Sequence, residues 1–220
     1  MSDTTDLANR LGGLQHISVD YILLDSSGSM YDKWHETLAA LDNYIAVLKK
    51  ANINSRGVLH SFSSRNMHNI VRDMPLHAWQ PLGWNIPGPG GSTPLYDAIN
   101  LMAREIAAMA PPPSNIIIVT DGLEAGSHHT TLDQAKAMLN YLRFQGHQVI
   151  FFGCDFNNSA QARALGVNES NCVGVQKALL LEAAGSLANK RVNHARQGTD
   201  ISFTDDEKSQ FGGYLAAPGA

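Results

Sequence analysis

The sequence predicts an α/β domain built on a doubly wound, mostly parallel sheet with an antiparallel edge hairpin and helices on both faces. Three observations carry that expectation. Strand and helix patterns alternate along the chain, several strands are unbroken apolar runs, and one pair of short strands is joined by a polar turn. A strand covered on both faces has no wet side, so its sequence runs apolar instead of alternating. Tyr21-Ile22-Leu23-Leu24 and Ile116-Ile117-Ile118-Val119 are such runs.

The first strand is expected over 17–24. From Asp32 onward, Trp34, Leu38, Leu41, Ile45 and Leu48 recur three or four residues apart, the stripe of an amphipathic helix. Segments 58–62 and 67–71 read as strands around the turn Ser63-Ser64-Arg65-Asn66, hence a hairpin. A Pro/Gly-rich loop over 73–92 follows, with Trp79 and Trp84 expected to pin it to the core rather than line a recognition rim. Thr93-Pro94 opens a helix, threonine as cap and proline at the first turn. Leu95, Ile99, Met102, Ile106 and Met109 form its buried stripe, and Pro111-Pro112-Pro113 ends it.

A covered strand over 116–120 comes next. Thr131-Leu132-Asp133-Gln134 is a capping box for a helix that Gly146 closes. A strand over 148–152, a short helix over 159–165, a weak strand at 172–173 and a helix over 176–196 complete the order. The parts are therefore an extension over 1–14, one domain over 15–196 and a polar tail over 197–220, the tail ordered by a partner.

Composition narrows the function. The chain has 220 residues, 44% hydrophobic and 16% charged, with a formal net charge of −4. A charged fraction below the usual ~25% argues against a coiled coil or a disordered chain. No basic excess exists to drive nucleic-acid binding. The amino terminus has no apolar core of a secretory signal, and no run reaches the ~20 residues of a membrane helix. Two cysteines, Cys154 and Cys172, lack zinc spacing and fit a reducing compartment. The expectation is a cytoplasmic chain with no membrane or nucleic-acid partner.

Chemistry gathers at strand ends, where open α/β sheets bind ligands. The first strand ends in Asp25-Ser26-Ser27-Gly28-Ser29, and the strand over 116–120 ends in Thr120-Asp121-Gly122. Asp25, Ser27, Ser29, Thr93 and Asp121 offer an all-oxygen set with two carboxylates, suited to a hard cation such as Mg²⁺ or Mn²⁺ rather than zinc.

These pieces resemble the von Willebrand factor A (vWA) domain, a Rossmann-like fold. Asp25-Ser26-Ser27-Gly28-Ser29, Thr93 within Gly91-Ser92-Thr93-Pro94-Leu95, and Asp121 within Thr120-Asp121-Gly122 match the three parts of its metal-ion-dependent adhesion site (MIDAS), in order. The chain looks like the small stand-alone bacterial and bacteriophage members, a virion being the alternative location. The resemblance implies that Ser27, Ser29 and Thr93 give hydroxyls to the metal, that Asp25 and Asp121 bind directly or through water, and that a partner protein's acidic residue fills an open position.

Ordinary structural roles account for several other polar groups. His128 and His129 are expected to face solvent, and Lys190, Arg191, His194 and Arg196 to complement a helix dipole. Asp205-Asp206-Glu207 reads as a solvated acidic turn. A Mg²⁺-dependent phosphatase lacks its second aspartate, since Ser27 stands there. A nucleotide loop lacks the lysine of GxxxxGK[ST], and no G-x-S-x-G elbow occurs. The expected function is a non-catalytic, metal-dependent protein-binding module, with a structural role in a larger assembly as the alternative and the phosphatase behind it.

Overall fold

A computed structural model describes residues 17–67, 69–83, 86–155 and 159–212; the extension over 1–14 and Trp84 lie outside them. Six strands form one sheet: β1 (Ser18–Asp25), β2 (Ser55–Phe62), β3 (Asn69–Pro75), β4 (Asn115–Thr120), β5 (Gln148–Cys154) and β6 (Cys172–Val175). Their order is β3-β2-β1-β4-β5-β6, parallel throughout except where β3 returns antiparallel along β2. The doubly wound sheet with its edge hairpin is thus as the sequence predicts.

The apolar runs are explained by two cores. Ile22 and Leu24 of β1 pack with α1 (Trp34–Lys50) and α5 (Leu180–Gln197) on one face. Val19, Tyr21 and Leu23 pack on the other face with α2 (Leu95–Met109), α3 (Leu132–Phe144) and α4 (Ser159–Ala164). Successive side chains point to opposite faces, so a central strand serves both cores at once.

The winding fixes where a site can sit. The chain leaves β1 toward β2 on one side, and β4 returns on β1's other side with Leu24 opposite Val119. Connections diverge at this switch point and leave a crevice between the carboxyl ends of β1 and β4. Asp25 and Asp121 flank that crevice.

Local differences have physical reasons. The helix expected from Asp32 begins at Trp34, because Gly28–Lys33 winds first as a tighter 3-10 turn. The hairpin strands are longer than predicted, with a register shift at Leu59/His60. The long loop is shorter, since β3 runs to Pro75 and the turn Leu76–Ala78 carries Trp79 into the core at 3% exposure. Gly57 makes room for that indole: a Cβ there would lie 2.7 Å from Trp79 Cζ3. The Thr131 capping box forms as expected, with Gln134 N donating to Thr131 Oγ1 at 3.3 Å and Thr131 N to Gln134 Oε1 at 2.9 Å.

Two expectations are corrected. Residues 199–212 are not a tail awaiting a partner: Ile201, Phe203 and Phe211 join the core, and α6 (Asp205–Gly212) packs beside β6, while 213–220 lie outside the described residues. Gln176 N donates to Phe211 O at 2.9 Å, and Glu207 pairs with Lys190 at 2.7 Å. Three spaced apolar residues in a polar stretch were too sparse to draw a periodic signal.

Arg191 does not serve a helix dipole. It is buried, and its Nε donates to Asp20 Oδ1 at 2.8 Å. Asp20 also accepts from Tyr44 Oη, Ser55 Oγ and Asn115 Nδ2, so the pair sits inside a buried hydrogen-bond network. Removing one partner leaves a buried charge alone. Arg191→Ala is expected to destabilise the fold by about 3–5 kcal/mol in urea unfolding, and a loss under 1 kcal/mol would refute that role for the pair.

Candidate metal centre

The turn after β1 is held from two sides. Ser26 N and Ser26 Oγ both donate to Phe62 O, at 2.8 and 3.0 Å, binding the turn to the end of β2. Gly28 N donates to Gly91 O at 2.9 Å, and Gly90 N to Ser26 O at 2.8 Å. The glycine-rich segment before Thr93 is therefore stitched to the serine turn. Gly91 adopts φ +87°, and a Cβ there would meet Ser64 Oγ at 2.4 Å, so only glycine fits.

Within this frame the oxygens converge. Asp25 is fully buried, accepting from Ser27 N at 2.7 Å on Oδ1 and from Thr120 Oγ1 at 2.7 Å on Oδ2. Ser27 Oγ lies 3.0 Å from Ser29 Oγ, and Ser29 Oγ donates to Asp121 Oδ1 at 2.6 Å. Thr93 is buried beside them: a Cβ on Gly122 would lie 3.7 Å from Thr93 Oγ1 and 3.8 Å from Ser29 Oγ. The structure thus brings Asp25, Ser27, Ser29, Thr93 and Asp121 to one crevice. Among the described residues no group of three His, Cys, Asp or Glu side chains gathers, because the cluster is mostly hydroxyl.

Thr93 does not cap α2, contrary to the sequence expectation. Pro94 takes that position and no side-chain cap bond forms there. The free amides of α2 are met from the loop after Asp121: Glu124 Oε2 accepts from Tyr96 N at 3.0 Å, and Ser127 Oγ from Asp97 N at 3.1 Å. Ala125 N donates to Thr93 O at 2.9 Å, which locks the two segments together. The threonine hydroxyl is then left to the crevice.

Sequence reasoning missed the residues that hold the Asp121 loop. Gln161 on α4 accepts from Glu124 N at 2.6 Å and donates to Gly122 O at 3.2 Å. Asp97 accepts from the amides of His128 and His129 at 2.8 and 3.1 Å. Burial raises the Asp97 pKa, but these amide bonds outweigh it and leave the carboxyl below its usual range. No local pattern marks either residue, since each acts across about thirty positions of sequence or more. The imidazoles of His128 and His129 are exposed, as expected.

Electrostatically the two aspartates differ. Asp121 Oδ2 pairs with Lys33 Nζ at 2.8 Å, a contact the sequence analysis did not foresee. Asp25 has no basic partner among the described residues, and burial pushes its pKa up to about 6 despite the Thr120 and Ser27 hydrogen bonds, with the Asp121 charge adding to the rise. An unneutralised carboxylate in a ring of hydroxyls is a donor set that fits a hard divalent cation. Burial also pushes the Cys154 and Cys172 thiols up to about 12, so neither is an activated nucleophile.

No protein-family model matches the sequence, and no curated protein matches it. Solved structures do. A von Willebrand factor type A protein from Catenulispora acidiphila superposes with TM-score 0.58 at 14% identity, over 81% of this chain and 43% of that one. The SpRpn10 VWA domain gives 0.54 at 10% identity, over 80% of this chain and 95% of that one. The pilus adhesin SpaC from Lactobacillus rhamnosus GG gives 0.64 at 13% identity, over 81% of this chain and 31% of that one. The chain thus spans under half the length of the Catenulispora protein and about a third of SpaC. Identities this low show a shared fold, the vWA-like fold, and nothing finer.

Proposed function

We propose that this chain is a non-catalytic protein-binding module whose capture of a partner depends on one Mg²⁺ or Mn²⁺ held by Asp25, Ser27, Ser29, Thr93 and Asp121. The observation that carries the reading is Asp25, fully buried at the switch-point crevice with no basic partner among the described residues. A bound cation would supply the missing positive charge and a Lewis-acidic position open to an anionic ligand. Asp121 is already neutralised by Lys33 whereas Asp25 is not, so the Asp121 carboxylate suits an outer role through water.

The expected ligand is a carboxylate of another protein chain. The chain's own Asp205-Asp206-Glu207 is the weaker candidate: Glu207 is bound to Lys190, and α6 lies beside β6, an edge strand two positions from β4. The adhesin and VWA-domain neighbours support protein–protein interaction as the general role. The pilus adhesin also favours a second reading, in which the module is a component of a larger assembly.

Affinity capture on the full chain, with divalent metal or with chelator, is the test. Partner recovery is expected to fall at least tenfold with chelator and equally in Thr93→Ala. Capture indifferent to both would place binding on another surface.

A further inference from the structure

Lys33 closes the 3-10 turn after the serine loop, and its side chain is buried. Nζ contacts Asp121 Oδ2 at 2.8 Å, the Ser29 carbonyl oxygen at 3.0 Å and Asp32 Oδ1 at 2.9 Å. The residue is 8% exposed and the Asp121 side chain 1% exposed, whereas the Asp32 side chain is 67% exposed, so water weakens its pairing with the ammonium. The buried part of the site therefore already holds a cation, tethered to one of its two carboxylates and absent from the other.

We infer that Lys33 is a fixed counter-cation that makes the crevice bind a divalent ion weakly by itself and strongly only together with an anionic ligand. The inference rests on the metal reading above. With Asp121 balanced by Lys33, Asp25 alone faces the incoming ion. A divalent cation then leaves the buried cluster with excess positive charge. The ammonium is separated from the hydroxyl cluster by a single carboxylate group, far less than the Debye length of about 8 Å, so screening does not erase the repulsion. A carboxylate entering the open position removes the excess. Metal and carboxylate thus raise each other's affinity by the same factor, as linkage requires. Two roles follow for one side chain: it keeps the empty crevice from repelling itself apart, and it selects for an acidic ligand over water.

The test uses the full chain and calorimetric titration with Mn²⁺, with and without acetate as the carboxylate probe. Lys33→Met keeps most of the buried alkyl stem and removes the charge. Lys33→Gln keeps donors toward Ser29 and Asp121, should the methionine variant fold poorly. Both variants are expected to bind Mn²⁺ alone at least tenfold more tightly than the wild type, and to lose most of the gain that acetate gives the wild type. Lys33→Arg should behave as the wild type. In thermal melts, the uncharged variants should melt lower without metal and gain more from Mn²⁺. Folded uncharged variants that bind Mn²⁺ no tighter than the wild type, or keep its full acetate enhancement, would overturn the inference while leaving the metal reading standing. Absence of Mn²⁺ binding in wild type and variants alike would overturn both.

Discussion

Asp25→Asn is expected to stabilise the metal-free protein at neutral pH while abolishing its response to divalent metal. Both effects come from the same buried carboxylate. Burial raises the Asp25 pKa from the ordinary carboxylate range to about 6, so ionising it in the folded chain costs more than in the unfolded one. A group whose folded pKa lies above its unfolded value binds its proton more tightly when folded. Its contribution to stability is fully present below about pH 4 and is lost as pH rises through about 6. Above that pH the metal-free wild type bears the whole penalty, at most about 3 kcal/mol for a shift near two units.

Asparagine removes the charge and keeps the shape. Its oxygen can still accept from Ser27 N, and the Thr120 hydroxyl can turn from donor to acceptor toward its amide. In urea unfolding with chelator, the stability difference between variant and wild type should grow from pH 4 to pH 6 and stay level above pH 7. A variant less stable than the wild type at pH 7.5 would mean that Asp25 is compensated in some other way.

Metal affinity should follow the same proton with the opposite sense of competition. The cation requires the ionised carboxylate, and below about pH 6 each ion bound must first displace a proton from Asp25. Mn²⁺ affinity is expected to be nearly constant from pH 8 to 7 and then to fall, approaching tenfold per unit below about pH 6. Proton release measured in buffers of different ionisation enthalpy should rise over the same interval. Affinity unchanged between pH 7.5 and 5 would exclude Asp25 as the titrating ligand.

The fold was legible because its signals are periodic and local. Tyr21-Ile22-Leu23-Leu24 and Ile116-Ile117-Ile118-Val119 read as doubly covered strands, and each does supply both cores. Asp25 and Asp121 were legible as neighbours for a topological reason: strand ends at a switch point meet however far apart they lie in sequence. What stayed hidden depends on single side chains reaching across the fold. Arg191 looked like a helix-end base, and only its burial against Asp20 gives it another role. Phe203 and Phe211 sat in a polar stretch and proved to be core. Thr93 looked like a cap; the competing acceptors on Glu124 and Ser127, about thirty residues on, left its hydroxyl to the crevice. Lys33 could not be paired with Asp121 from sequence, since the eighty-eight positions between them close only through the sheet.

The central proposal is that the crevice holds one divalent cation through Asp25 and its hydroxyl neighbours. Calorimetric titration of the full chain with Mn²⁺ at pH 7.5, in the presence of acetate, tests it most directly. The account predicts one ion per chain for the wild type and no measurable binding for Asp25→Asn, with circular dichroism showing the variant folded. Equal Mn²⁺ affinity in the two proteins would contradict it.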